Sequence, residues 1–168
     1  MENKYDWLLK EPGPKMLTEA LRHYGVLEHP GVGSNPNILA WAKEVGVSGW
    51  YTDDDIPWCG LFVGVVAQRC GYPFTASKLL AAREWVSWGV SAVPMLWNVL
   101  IFQRPGGGHV GFYAGESNRA YLVYGGNQSN KVGFAWIDKS RLIGCREPIY
   151  KISRPSNVRK IFLNETGE

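Results

Sequence analysis

DDDIPWCGLFVGVVAQRCG, Asp53 to Gly71, is the stretch from which the rest of the chain is best read. An acidic, proline-punctuated turn runs into a single apolar helix with Cys59 at its mouth. Pro57 suits the first positions of a helix, where a missing N–H goes unfelt. Leu61, Phe62, Val65 and Val66 then recur on one buried face as the helix runs to Gly71. Cys59 therefore falls in the first turn. There, unpaired backbone N–H groups and the positive end of the helix dipole favour an anion, lowering a thiol's pKa toward the thiolate that attacks carbonyls. On position alone the residue is either a nucleophile or a small buried hydrophobe, as most free cysteines are.

The chain has 168 residues, enough for one domain with a real core, and its 45% hydrophobic and 20% charged content is that of a folded globule. A net charge of +3 permits a polyanionic partner. The basic residues are nevertheless spread singly, with no basic stripe or aromatic stacking motif, and this argues against nucleic-acid binding. Three cysteines make an odd set without disulfide-framework or zinc spacing. Cys59 and Cys70 lie roughly 16 Å apart along one helix and cannot bridge each other. Met1 to Pro14 has no apolar signal core and no long apolar run follows. The expectation is synthesis in the cytoplasm without a signal peptide and no membrane insertion.

Around the central helix, Met1 to Pro14 reads as a polar lead with one apolar knot, Trp7-Leu8-Leu9, and Pro14 opens an amphipathic helix carrying Met16, Leu17, Ala20, Leu21 and Tyr24. Asn35-Pro36 reads as N-cap and first residue of a helix through Val45. Ser77 to Trp88 is predicted as another helix. From Val93 the pattern alternates, predicting strands over Trp97–Phe102, His109–Gly115, Ala120–Tyr124, Val132–Ile137 and Leu142–Arg146. Helices followed by an antiparallel meander define an α+β domain, with N-terminal helices packed on a C-terminal sheet. The domain is expected over 1–148. Residues 149–168, with Lys151, Arg154, Arg159 and Lys160, form a basic C-terminal extension, read as a docked strand or a loose tail.

A thiolate nucleophile needs a base and a group to orient it. His109 begins a strand after the turn RPGGG and shares a face with Gly111 and Tyr113. If Glu116 to Arg119 make a four-residue loop, Gly115 faces Ala120 and His109 faces Gly126, with Asn127 beside the imidazole; a slip of one residue puts Gly125 or Asn127 itself opposite. An amide oxygen there would orient the base as in a Cys/His/Asn arrangement. A satisfied core histidine and a simple GGN turn account for the same residues. Asp53-Asp54-Asp55 reads as a set of helix-dipole partners, with cation binding as the alternative.

The matching stretches GVGSNPNILAW, DDDIPWCGLFV, AREWVSWG, RPGGGHVGFYAGE, YGGNQSNKV and SRLIGCREP carry a resemblance over Leu8 to Pro148. The chain resembles the small, largely phage- and prophage-associated group of NlpC/P60-like and CHAP-like cysteine peptidases. The resemblance implies a papain-like fold and hydrolysis of an amide bond in peptidoglycan, either by an amidase or by an endopeptidase. It places the nucleophile at Cys59 and the base at His109, with Asn127 third and Gln128 its competitor. Gly60 stands where Ser or Ala is more usual. Trp58, Trp88, Gly108 and Gln128 are the expected substrate-binding positions. No cofactor or metal is implied, and the expected partner is a peptidoglycan stem peptide met by a monomer. A holin-like or secretion route would carry the protein to the wall, with a holin or immunity partner left open. A non-catalytic wall-binding or phage structural module and a thioester-forming acyltransferase are the alternatives.

Overall fold

The computed structural model describes Met1 and residues 3–164; Glu2 and residues 165–168, at the ends of the expected lead and tail, lie outside the described residues. Among the described residues, four α-helices precede the main sheet: α1 (Lys15–Leu21), α2 (Pro36–Glu44), α3 (Cys59–Arg69) and α4 (Ala76–Leu79). The strands are β1 (Val90–Ser91), β2 (Val99–Arg104), β3 (Gly107–Glu116), β4 (Ala120–Gln128), β5 (Lys131–Asp138) and β6 (Leu142–Glu147). They form one antiparallel six-stranded sheet in the order β1-β6-β2-β3-β4-β5. The meander β2 to β5 is thus completed by β6 returning to the free edge of β2. The architecture is α+β.

Most of the expected elements form for the reasons read from the residues. Asn35 caps α2 by accepting from the Asn37 backbone N–H at 2.8 Å, with Pro36 at the first helical position. Met16, Leu17, Ala20 and Leu21 bury the inner face of α1. In the lead, Asn3–Lys10 forms a 3-10 helix that buries Tyr5 and, from the apolar knot, Leu8, while Leu9 is exposed.

The expected helix over Ser77–Trp88 is broken. After α4 the chain extends at Ala81 and resumes as a 3-10 helix, Ala82–Ser87. The break leaves the Leu79 carbonyl free to accept from the Trp85 indole N–H at 3.0 Å, a contact that a continuous helix would forbid. β4 also runs on through Gln128, beyond the expected end at Tyr124.

The main core lies between helices and sheet, where α3 is buried along nearly its whole length against Val110, Phe112, Leu122 and Tyr124. Gly60 and Gly64, one turn apart on α3, form a notch for α4. A Cβ at Gly60 would meet the Leu79 carbonyl oxygen at 2.1 Å, and one at Gly64 would meet Leu79 Cδ1 at 2.1 Å. A second, smaller cluster of Leu100, Phe102, Tyr113, Tyr121, Val123 and Ile137 has Ile161 of the C-terminal segment packed against it.

That segment is docked. The Ile161 carbonyl accepts from Glu116 N–H at 2.8 Å, and Glu116 returns the bond through Leu163 N–H at 2.8 Å. Arg159 pairs with Glu11 at 2.8 Å, and Asn157 bonds both Glu11 and the Gly13 carbonyl, so the segment ties the N-terminal lead to the sheet. Among the described residues, no helix is long and apolar enough to cross a membrane.

Candidate active site

Cys59 is the first residue of α3. The helix opens with the Trp58 carbonyl accepting from Phe62 N–H at 3.0 Å, and no side chain caps the end. The N-terminal N–H groups are therefore not consumed by a capping oxygen, which leaves the field there favourable to an anion. Trp58 fixes the approach to the helix. Its indole N–H donates to Glu28 Oε2 at 3.0 Å, and its ring occupies the space that a Cβ on Gly126 would enter, 2.7 Å from Cζ3.

The expectation that Trp58 contacts substrate is thereby corrected. At 0% exposure it is a wedge between α3 and β4. Glycine at 126 is required by this close approach.

His109 sits on β3 opposite Phe102 of β2, two residues beyond the RPGG turn. Its Nε2 bonds Gln128 Oε1 at 2.8 Å. The Gln128 amide is oriented by its own partners, since Nε2 donates to the Val123 carbonyl at 3.0 Å and to the Gly133 carbonyl. With both amide hydrogens occupied, the oxygen must face the imidazole and accept its Nε2–H. Nδ1 is then the nitrogen left for the thiol.

Cys59 is 2% exposed and His109 6%. Burial acts to raise the Cys59 pKa. Hydrogen bonding with His109, the imidazole's charge, the Val110 backbone N–H and the Arg104 guanidinium outweigh it and hold the thiol below its ordinary value. The other two thiols go the opposite way, Cys70 to about 11 and Cys145 to about 12, chiefly through burial. Only the thiol at the helix mouth is prepared to ionise.

The structure brings Cys59, His109 and Gln128 together and puts Gln128, not Asn127, on the imidazole. The loop and two irregularities produce the difference. The loop is tighter than the four-residue reading, Ser117 N–H donating to the Ala120 carbonyl and Glu116 pairing with Tyr121, and a bulge on β3 between Tyr113 and Gly115 then leaves Phe112 paired with Tyr124 rather than with Val123. β4 then shifts register against β5 between Gly125 and Gln128, with Asn127 in the left-handed region at φ 55°. An extra residue in a strand reverses which side chain faces inward. Asn127 takes the strained position that asparagine tolerates, and the longer amide turns back to His109.

Gly108 is half-buried, and a Cβ there would meet Arg83 Cγ at 2.8 Å, so it seats the 82–87 segment on the sheet rather than opening a path. Trp88 donates its indole N–H to the Pro73 carbonyl at 2.8 Å and packs on Trp85 at 5.5 Å between ring centroids. Both line a cavity of about 280 Å³ with Phe74, Lys78 and Glu84.

Asp54 is fully buried and binds the 28–35 loop, Oδ2 accepting from His29 N–H at 2.8 Å and Asn35 N–H at 2.7 Å. Asp53, Asp54 and Asp55 offer carboxylate oxygens within 4.8 Å of one another and are the described residues that could hold a metal ion. The RPGG turn also contributes Arg104, which sequence reasoning passed over because a turn explained the residues sufficiently.

The chain matches no protein-family model, no curated protein and no solved structure.

Proposed function

We propose that this chain is a papain-like cysteine hydrolase that cleaves an amide bond of peptidoglycan, as the resemblance to NlpC/P60-like and CHAP-like peptidases implies. The observation that carries the reading is the Cys59, His109 and Gln128 relay: a buried thiol held below its ordinary pKa by an imidazole whose far nitrogen is fixed by an oriented amide. An α+β arrangement with the cysteine at the mouth of the buried helix supports the fold assignment.

The Cys59 thiolate, paired with the His109 imidazolium, attacks the substrate carbonyl, and the Cys59 backbone N–H at the helix mouth receives the developing oxyanion. His109 protonates the leaving amine, which breaks the C–N bond and leaves a thioester. The imidazole then takes a proton from water as it attacks the thioester, releasing the acid and restoring the thiol.

Purified protein is expected to clear a peptidoglycan suspension, and Cys59→Ser to abolish clearing with an unchanged circular dichroism spectrum. Undiminished clearing by Cys59→Ser overturns the reading. Mass spectrometry of the fragments names the bond: a freed lactoyl carboxylate marks an amidase, and a new stem-peptide amine an endopeptidase.

A further inference from the structure

The turn between β2 and β3 carries Arg104 close to His109 along the strand pair and is bonded by Arg83, and no acid among the described residues balances either guanidinium. Arg104 and Gly107 face each other across the turn, and two residues further along each strand Phe102 faces His109. Arg83 reaches over from the 82–87 segment, its Nε donating to the Gly107 carbonyl at 2.8 Å and Nη2 to the Arg104 carbonyl at 3.4 Å. These bonds use backbone oxygens, so they fix the turn without neutralising the charge. No carboxylate among the described residues pairs with either arginine, and the neighbouring Glu84 pairs with Lys78. Arg104 is half-buried and Arg83 exposed.

A thiolate already paired with an imidazolium does not need a further cation. A guanidinium presents a planar fork of donors suited to a carboxylate, and beside a reacting centre that fork selects substrate. We propose that Arg104, on a turn braced by Arg83, is a specificity-determining residue that binds a free carboxylate on the substrate next to the scissile amide. The charge of Arg104 is felt at the Cys59 thiol, as a subsite adjoining the nucleophile requires. Arg83 acts through the turn as a positioning residue. The proposal deepens the cysteine-hydrolase reading and rests on Cys59 being its nucleophile.

Alkylation of Cys59 tests it without a peptide substrate. Iodoacetate and iodoacetamide place the same carbon on the thiolate, but only the former carries a carboxylate. Rates for both are measured at pH 7 and low salt on the full chain, with mass spectrometry assigning the label. The iodoacetate-to-iodoacetamide rate ratio is expected to fall about fivefold or more in Arg104→Gln, to be largely kept in Arg104→Lys, and to fall with added salt in the wild type. An unchanged ratio in Arg104→Gln, or equal slowing of both reagents, overturns the subsite while leaving the nucleophile in place. If neither reagent labels Cys59 ahead of Cys70 and Cys145, the hydrolase reading itself fails and takes the subsite with it.

Discussion

Replacing Gln128 by alanine separates the role of the observed third residue from that of its neighbour. The truncation removes the 2.8 Å bond to His109 Nε2 and both donations to backbone, leaving the Val123 and Gly133 carbonyls without that amide. A hydrogen bond to an ionised group contributes about 1.5–3 kcal/mol, so losing the bond to the imidazolium should cut the thiolate–imidazolium population, and with it kcat/KM, about 10- to 150-fold. Each buried carbonyl left unsatisfied adds about 1–3 kcal/mol of destabilisation. The variant should therefore also melt well below the wild type. Asn127→Gly is the matched control, because glycine accepts the φ of 55° found there and no bond to His109 is lost. The assays are clearing of peptidoglycan and the pH dependence of Cys59 alkylation, each beside a thermal melt. If Gln128→Ala retains activity within about twofold while Asn127→Gly loses it, the orientation argument is wrong.

His109→Ala removes the hydrogen bond and the charge that most lower the Cys59 pKa, leaving the Val110 N–H and Arg104 against burial, which raises it. The midpoint of the alkylation pH profile should move upward, and an unmoved midpoint would show that the imidazole does not act on the sulfur. Gly60→Ala introduces a Cβ 2.1 Å from the Leu79 carbonyl oxygen, so α4 must shift; a loss of about 1–3 kcal/mol in denaturant unfolding is expected, and a neutral result would refute the tight seat. Hydrogen bonding from Arg159 holds the Glu11 carboxyl below its ordinary value of 4.5. A depressed carboxyl contributes stability above its unfolded pKa and loses it as pH falls through the folded one. Arg159→Leu should therefore destabilise the fold at pH 7 and much less at pH 3, as measured by chemical denaturation; equal losses at both would assign the effect to packing alone.

Local chemistry made much of the fold legible. Asn35-Pro36 wrote the start of α2, and the alternation after Val93 wrote the meander. These are cases where a few adjacent residues decide their own conformation. The reading failed where a distant contact chose between local options. Ala76 to Ser87 has a helical pattern, but the carbonyl of Leu79 is claimed by the Trp85 indole and by the notch at Gly60, and neither pairing is written in that segment's periodicity. The C-terminal residues have weak patterning because their partners, Glu11, Tyr113 and Glu116, come from other strands and from the opposite end of the chain.

The site shows the same division at higher stakes. Cys59 and His109 were readable because each sits at an element's start, where the helix field or the turn announces it. The third residue depended on strand register, and a strand period of two makes any single-residue error total. The loop is tighter than the four-residue reading, and two departures from regular pairing follow it, one on each strand, of which no residue-level preference marks the first. The second was marked. Asn127, Ser129 and Asn130 adopt positive φ, but Gly125 and Gly126 do not and stay within β4, so the GGN run is strand with a bend at Asn127 rather than the turn its residues also suggested. The inference missed was that a residue used to bend the backbone is poorly placed to orient a base. Such a bend instead hands that task to the next side chain long enough to return, and glutamine, with one more methylene than asparagine, spans from the far side of the bulge to the imidazole.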